Sequence, residues 1–465
     1  MLPFKMKKIS LLNITSSIIL FLAVVSCKKD FLDLAPNSEA NSENFFEVEA
    51  DFRSALTGAY ARLQSYVTPY FEMVEYRSDN LTLEAPTAGT QDRYNIDHFS
   101  ETPANEIVLE TWGAYYNAIA RANLILLKLE DADLNATAAE QFEGEARFIR
   151  AFTYFNILRF WGSAPLPLEP LSPEEALAQA QAPPEAILSA IAEDLEKASF
   201  LLPPAYGESE IGHATSWASK ALLGKVYLWN KNYQKAKEVL SELQGSPHSL
   251  LPEIADVFRS DNEWNNEIIF AIRFAREVDG EGHNAWLLTY DTTNTPLTQN
   301  LKDAFEPGDK RRAMIGFAKD GFTYMPRKFL APISVTTNKT GNDYIVLRYA
   351  DVLLMLAEAE NEITPLSPSA FDALNTVRNR AGLASLTTSE VGTQEDFRNA
   401  VLQERRVELP FEGHRWFDLL AAGRAETTMN AQGLSIQTYQ QLYPIPQSEI
   451  EKINKPAVLS QNPGY

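Results

Sequence analysis

The stretch ALLGKVYLWNKNYQKAKEVL, residues 221–240, decides the fold class of this chain. Its first half places Leu222, Val226 and Trp229 at the spacing of one helical face. The polar residues 230–232 then form a turn, and a second helical pattern begins at Tyr233. Because the connection is so short, the two helices must fold back on each other. The stretch therefore predicts an antiparallel helical hairpin.

The same stretch resembles a tetratricopeptide repeat. In that repeat, small residues such as Gly224 and Ala236 let two helices approach closely, while Tyr227 and Tyr233 fill the space beside them. One hairpin cannot bury its apolar face alone, so several hairpins must stack. Helical patterns that can supply the neighbours lie at 145–160, 184–202 and 343–362. The predicted fold class is therefore mainly α, built from tetratricopeptide-like helical hairpins.

Other apolar residues repeat this helical spacing. They are Trp112, Tyr115, Tyr116, Ile119, Ala122 and Leu126 in one helix, and Phe148, Phe152 and Phe155 in the next. A third helix begins at the prolines of 183–184 and ends at those of 203–204, because proline suits a first turn and cannot continue a helix. We predict one domain over 45–465, with a helical scaffold at about 45–80, 110–245 and 343–420.

Two long regions, about 80–110 and 245–342, interrupt the predicted scaffold. Both are rich in Asn, Thr, Gly, Pro and aromatic residues, and Ile268–Ile272 is the best strand candidate within them. Loops of this length in a compact domain are usually functional. We therefore expect the binding surface to be built from these two insertions.

The amino end has the layout of a secretory signal. Three lysines within the first eight residues precede an apolar stretch over 9–25. A membrane-spanning helix needs roughly 20 mainly apolar residues, whereas this stretch is shorter and polar in its middle. Met1 and Met6 both remain possible starts, since each opens a complete signal. We predict that residues 1–26 are a signal peptide that is removed.

Cys27 is the only cysteine of the chain and follows the apolar stretch directly. A lone thiol in an exported chain cannot close an intramolecular disulfide. Its position resembles the lipobox cysteine of bacterial lipoproteins, which implies that Cys27 is acylated and anchors the protein to the membrane. The polar, turn-rich residues 27–44 then form a tether. An ordinary signal peptide with a coincidental cysteine is the alternative.

Charge limits the classes of ligand. Acidic residues outnumber basic ones by 62 to 41, and the formal charge of −21 becomes −24 when residues 1–26 and their three lysines are removed. Such a body repels nucleic acid and anionic membrane surfaces, so we expect no nucleic-acid partner. The overall charge leaves neutral or cationic ligands. The hydrophobic content of 45% is that of a globular chain.

Five blocks in order resemble the SusD/RagB family of nutrient-binding outer-membrane lipoproteins. The blocks are EARFIRAFTYF at 145–155, DYIVLRYADVLLM at 343–355, LNTVRNRAG at 374–382, ERRVEL with EGHRWFDL at 404–419, and YPIP with QNPGY at 443–465. Their order and spacing cover nearly all of 27–465. The resemblance implies a single helical domain of SusD type with long loop insertions and minor β structure.

The resemblance also implies a function. Members of this family bind oligosaccharides, and some bind peptides, at the cell surface. They pack like a lid on a SusC-like TonB-dependent transporter. The resemblance thus predicts glycan capture and delivery without catalysis, with a peptide ligand as the alternative. It implies no cofactor. A glycoside hydrolase and a scaffold protein of the envelope remain competing hypotheses from other classes.

The hydrolase hypothesis rests on the acidic residues of 404–418. Glu404, Glu408, Glu412 and Asp418 could supply an acid and a base for glycoside cleavage. They are interleaved with arginines, however, which would hold the carboxylates ionised. We therefore predict structural ion pairs in this block, and also for Arg147, Arg150, Arg348 and Asp351.

Motifs for metal or nucleophilic chemistry are absent from the sequence. The five histidines are scattered and have no zinc-type spacing. Phosphate-binding glycine loops and a Gly-x-Ser-x-Gly elbow are also missing. A calcium site in the acidic loop 256–266 stays open, although that loop has no patterned ligand spacing. We predict no metal site and no catalytic residue.

Two groups of residues fit a sugar site, where rings stack on sugar faces and amides or charged groups bind hydroxyls. The first group is Tyr76, Arg77, Asp79 and Asn80, continued by Gln91, Arg93, Tyr94 and Asn95. The second is Asn284, Trp286, Tyr290, Asp291 and Asn294. The first group is preferred, because the resemblance places ligand contacts in the variable stretch after this early segment.

Overall fold

The computed structural model describes residues 45–465 apart from 276–277, 279–280, 284–296, 316, 321–322 and 330–338. The predicted signal peptide, the tether and Cys27 therefore lie outside the described residues. Trp286 and Tyr290 of the second candidate group lie outside them as well.

Helices dominate the described part of the chain. The first nine are α1 (Glu49–Ser65), α2 (Val67–Glu75), α3 (Gln91–Asp97), α4 (Glu106–Leu129), α5 (Ala136–Trp161), α6 (Pro173–Ala176), α7 (Pro184–Leu201), α8 (Ser216–Trp229) and α9 (Tyr233–Glu242). The later ones are α10 (Gln299–Asp303), α11 (Tyr349–Ile363), α12 (Pro368–Arg380), α13 (Gln394–Glu408), α14 (Arg415–Ala421), α15 (Ala425–Ala431) and α16 (Gln447–Ile453). The prediction of a mainly α fold is confirmed.

Strands are short and occur in antiparallel pairs. They are β1 (Ala164–Pro165), β2 (Gln181–Ala182), β3 (Ile268–Ile272), β4 (Phe317–Asp320), β5 (Thr323–Pro326) and β6 (Tyr344–Arg348). The pairs are β1 with β2, β3 with β6, and β4 with β5. The predicted strand at Ile268–Ile272 is confirmed, and all five of its residues are buried.

The hairpin predicted from residues 221–240 consists of α8 and α9. Asn232 caps α9, because its side-chain oxygen accepts a hydrogen bond from the backbone nitrogen of Lys235. Gly224 lies against Leu240, and a Cβ atom on Gly224 would stand 2.4 Å from Leu240 Cδ2. Ala236 is fully buried at the same interface. The two helices therefore approach closely for the reason that the sequence predicts.

The helices stack in sequence on either side of this hairpin. Helix α7 packs between α5 and α8, and α5 packs against α4. On the other side, α9 packs against α11, which in turn packs against α12 and α13. The predicted neighbours of the hairpin are thus its observed neighbours. The stack buries one large apolar core, with a smaller core between α11, α12 and α13.

Strands β3 and β6 close the base of the long second insertion. Ile272 lies opposite Tyr344 in their antiparallel register, so the chain leaves and re-enters the body at neighbouring positions. Two isolated bridges pair further points of the insertion, His283 with Thr340 and Leu81 with Leu297. The second bridge joins the two predicted insertions. Backbone pairing thus brings both irregular regions into contact.

Candidate functional site

Four residues of the first candidate group are buried. Tyr76, Arg77 and Asn80 have no exposed surface, and Asp79 is 2% exposed. The Asp79 carboxylate accepts hydrogen bonds of 2.7 and 2.8 Å from Arg415. Buried charges must be paired to be tolerated, and these side chains find their partners inside the protein.

Arg77 lies in an aromatic cage. Its guanidinium is 2.7 Å from Glu101 and stands over the rings of Phe99 and Tyr443, at 4.4 and 4.1 Å from their centroids. Such packing satisfies a charge within the core and leaves it no surface for a ligand. We therefore correct the prediction for the four buried residues, which hold the segment in place rather than contact a ligand.

The preceding side chain, Glu75, belongs to the same buried layer. Its Oε1 accepts a hydrogen bond of 2.8 Å from the backbone nitrogen of Gly413, and burial raises the pKa of Glu75 to about 7. Gly413 has a φ of +74°, and a Cβ atom there would stand 2.5 Å from Tyr70 Cε1. The layer beneath the first segment is therefore packed against residues more than 300 positions away in sequence.

Tyr94 and Asn95 lie further along the segment, on α3, and both are partly exposed. The Tyr94 ring stacks on His98 at a centroid distance of 3.9 Å and an angle of 19°. The Asn95 side-chain oxygen accepts a hydrogen bond of 2.9 Å from Gln91. A stacked ring pair with an amide next to it is the arrangement that can bind a sugar face and its hydroxyls.

His98 is absent from the predicted site. Its Nδ1 is 3.1 Å from the Asp97 carboxylate and 3.1 Å from the Tyr94 backbone oxygen. The hydrogen bond to Asp97 raises the pKa of His98. The spacing of four residues from Tyr94 is the signal that could have identified it, because residues i and i+4 of a helix lie side by side.

Asp97 also fixes the loop that precedes α3. Its Oδ2 accepts hydrogen bonds of 2.9 Å from the Leu83 backbone nitrogen and 3.2 Å from the Thr82 hydroxyl. The next residues, 84–89, are exposed. The ring pair therefore stands on a buried carboxylate and beside an exposed stretch of chain. Within this group, Arg93 points to Glu72 and forms an ion pair with it.

The two candidate segments meet at one point. The Thr298 backbone nitrogen donates a hydrogen bond of 3.1 Å to the Asn80 oxygen, and its hydroxyl donates one of 2.7 Å to the Asp79 oxygen. Leu297 and, before it, residues 284–296 precede Thr298 in the chain, and 284–296 lie outside the described residues. Trp286 and Tyr290 therefore stay predictions, but the chain that carries them ends next to the first segment.

The charged block of 404–418 is built into a buried cluster, which we call the ionic cluster. Its members are Asp309, Glu267, Glu404, Glu408, Glu412, Arg311, Lys328, Arg348, Arg378 and Arg380, joined by ion pairs. Burial alone would raise the pKa of Glu408, but Arg380, Arg348 and Arg311 together hold it well below its usual range. The prediction of structural ion pairing is confirmed.

The other charged residues of the family blocks are paired as predicted. Asp351 accepts hydrogen bonds of 2.8 Å from Lys225 and 2.7 Å from Arg405. Arg147 and Arg150 share Asp194. Asp418 lies 2.9 Å from Arg405. The Asp351 and Asp194 carboxylates face cations within the helical stack, whereas the partly buried Asp418 also lines a cavity of about 310 Å³ beside Arg405.

The described residues form neither a metal-binding cluster nor a membrane-spanning helix. No three His, Cys, Asp or Glu side chains there are grouped as the ligands of a metal ion would be. In the part of the chain that the structure describes, every helix is too short or too polar to cross a bilayer.

Two family models match the chain. One, described as "Starch-binding associating with outer membrane", matches residues 30–228, and the other, described as "SusD family", matches residues 283–465. The SusD-like protein P25 of Formosa agariphila is 28% identical, over 94% of this chain and 96% of that protein.

Solved structures agree with the family models. A SusD superfamily protein from Bacteroides vulgatus superposes with a TM-score of 0.78 at 25% identity, covering 90% of this chain and all of that one. A laminarin-binding SusD-like protein gives the same TM-score, identity and coverage. Since the models, the relatives and the fold agree along nearly the whole length, the chain belongs to the SusD/RagB family.

Proposed function

We propose that this protein binds a glycan at the surface of the outer membrane and delivers it to a TonB-dependent transporter without changing it chemically. The family description places such proteins in association with the outer membrane, and a relative of the same fold binds laminarin. Delivery to a SusC-like transporter follows the resemblance of the five sequence blocks. A peptide ligand is the alternative within the same family.

The observation that carries this proposal is the stacked pair of Tyr94 and His98. The pair is partly exposed on α3, and the buried Asp79 and Asp97 hold the surrounding chain in place. Sugar rings present C–H faces that pack on such aromatic surfaces. A rigid base lowers the entropy lost on binding, so an otherwise shallow platform can still bind usefully.

A non-catalytic role is supported by the state of the carboxylates. Glycoside cleavage needs a general acid with a raised pKa beside the scissile bond, and a second carboxylate on the other side. The acidic side chains of 404–418 are paired with cations in the ionic cluster or with Arg405. Burial raises the pKa of Glu404, but this carboxylate is 1% exposed and bonded to Arg311 and Arg378. We therefore propose binding rather than hydrolysis.

Calorimetry with a panel of polysaccharides and peptides tests the ligand class. We expect heat from at least one glycan, and a Tyr94→Ala variant should bind it about tenfold more weakly, because a ring contact contributes about 1 kcal/mol or more. Phe200→Ala is the control, since Phe200 is an aromatic side chain 87% exposed on α7. No heat of binding from any glycan, or heat from peptides alone, would contradict glycan binding.

The same samples test catalysis, the anchor and the partner. We expect no release of reducing ends from a glycan that binds. Mass spectrometry of membrane-extracted protein should show an acylated Cys27 at the mature amino terminus, and Cys27→Ser should release the protein from the membrane. A TonB-dependent transporter should co-purify with the anchored protein. Co-purification of assembly factors without a transporter would favour the scaffold hypothesis instead.

A further inference from the structure

A groove of about 510 Å³ lies between α1, α4 and the chain around His283 and Lys339. Arg62 and Gln64 come from α1, Arg121 comes from α4, and Lys339 lies next to the bridge between His283 and Thr340. Phe274 supplies an apolar wall. The volume lies within the range of about 300–1,000 Å³ that is typical of ligand sites.

Three cations line this groove and have no carboxylate partner among the described residues. Arg121 uses only its Nε, which donates a 3.0 Å hydrogen bond to Asn117 within the same helix. Arg62 is exposed and Lys339 partly exposed, and among the described residues none of the three forms an ion pair. Elsewhere in the described chain most arginines are paired, as in the ionic cluster. The groove is therefore a local excess of positive charge on an acidic protein.

The groups around the cations do not cancel this charge. Glu281, a described acidic residue next to Gly282 of the groove, accepts a hydrogen bond of 2.6 Å from Gln64 with its carboxylate. Burial lowers the pKa of His283 to about 4, so His283 adds no charge of its own near neutral pH. Gly58 leaves room for the Arg121 guanidinium, because a Cβ atom on Gly58 would stand 3.2 Å from Arg121 Nη1. The described lining of the groove thus contains three cations, Arg62, Arg121 and Lys339, and no carboxylate.

We propose that this groove binds an anionic group of a saccharide, either the carboxylate of a uronic acid or a sulfate ester. A planar guanidinium fork fits both groups, and the mostly buried Phe274 lines the groove beside them. The net charge of the whole protein argues against anionic ligands, but charges in a concave site act over a few ångströms, whereas salt screens the distant ones. The inference deepens the proposed glycan binding and rests on it.

The chain order connects the groove to the first candidate segment. Segment 284–296 follows His283 at the groove, and the next residue, Leu297, pairs with Leu81 beside the first candidate segment. A glycan long enough to reach both places would contact rings at one and cations at the other. Contacts at two linked places raise overall affinity without any new type of contact.

The test is calorimetry with four probes: oligogalacturonate, a sulfated galactan, the same galactan after desulfation, and laminarin. We expect the wild type to bind an anionic probe, with an affinity that falls as salt is raised. Arg62→Gln with Arg121→Gln should weaken that binding about tenfold or more, because charge-assisted hydrogen bonds are lost. Arg312→Gln is the matched control, since Arg312 is exposed and lies outside the groove.

The outcomes separate the two proposals. Binding of laminarin or desulfated galactan alone would overturn the anionic inference and leave glycan capture standing. The anionic inference would also be overturned if the wild type and the double variant bound an anionic probe equally well. An Arg312→Gln variant that lost as much affinity as the double variant would overturn it too. Failure of all four probes would overturn both. Thermal unfolding of each variant checks that the fold is retained.

Discussion

Arg348 is the residue whose replacement tests the ionic cluster most directly. It is 1% exposed and donates five hydrogen bonds of 2.6–2.9 Å, to Glu267, Glu408 and Glu412. Arg348→Met keeps most of the volume and removes the charge. We expect a large loss of stability, because three buried carboxylates then share fewer cations.

The magnitude follows from what remains after the change. Truncating one partner of a buried ion pair typically costs about 3–5 kcal/mol, since the other charge stays buried. Glu412 would keep Lys328, while Glu408 would keep Arg311 and Arg380. Because these partners remain, the free-energy cost of the change is smaller than the sum of the costs of five separate hydrogen bonds. We therefore expect the free energy of unfolding to fall by about 3–5 kcal/mol.

Urea denaturation followed by circular dichroism measures this difference. Arg398→Met is the control, because Arg398 pairs with Glu362 and Glu395 on the surface, where its own side chain is 41% exposed. An exposed pair of this kind contributes about 1 kcal/mol or less. Equal losses in the two variants, or a loss below about 1 kcal/mol for Arg348→Met, would refute the reasoning.

Three further substitutions test buried contacts, two beneath the first candidate segment and one in the hairpin of α8 and α9. Since the folded state keeps the Glu75 proton up to about pH 7 and the unfolded chain loses it near 4.5, stability from this group is complete below 4.5 and is lost as pH rises through 7. The melting temperature of Glu75→Gln should then fall less between pH 5 and pH 8 than that of the wild type. Gly413→Ala should lower the urea midpoint strongly, because its positive φ and the 2.5 Å approach to Tyr70 leave no room for a methyl group. Gly224→Ala should cost about 1–3 kcal/mol, and the double variant with Leu240→Ala should lose less than the sum of the two single losses, whereas additive losses would contradict the close contact.

Much of the helical body could be predicted from sequence, because its signals are local. The hairpin of α8 and α9 follows from apolar spacing and a three-residue polar turn, and α7 begins at Pro184, the second of the two prolines that predict its start. The strand Ile268–Ile272 was found from its apolar run and the asparagines before it. Spacing, turns and prolines act over a few residues, so one sequence is enough to read them.

The candidate site was harder to predict, because its decisive partners are distant in sequence. Asp79 and Asn80 follow a turn and resemble a polar surface loop, yet Arg406 and Arg415 bury them from more than 300 positions away. No local pattern encodes such pairs. Tyr94 stays a prediction from the pattern of aromatic residues among polar ones that is typical of sugar platforms, whereas the groove combines residues from four separate stretches and has no motif.

The two backbone bridges at His283 and Leu297 have a consequence for how ligand preference can change. They pair the described residues on either side of 284–296, His283 and Leu297, with Thr340 and Leu81 of the body. The entropy of closing a loop grows slowly, and doubling its length costs only about 0.6 kcal/mol. Insertions and substitutions in this stretch should therefore change the free energy of folding little. On the proposed function, substitutions in this one short interval can change the glycan that is bound, while the supporting helices stay the same.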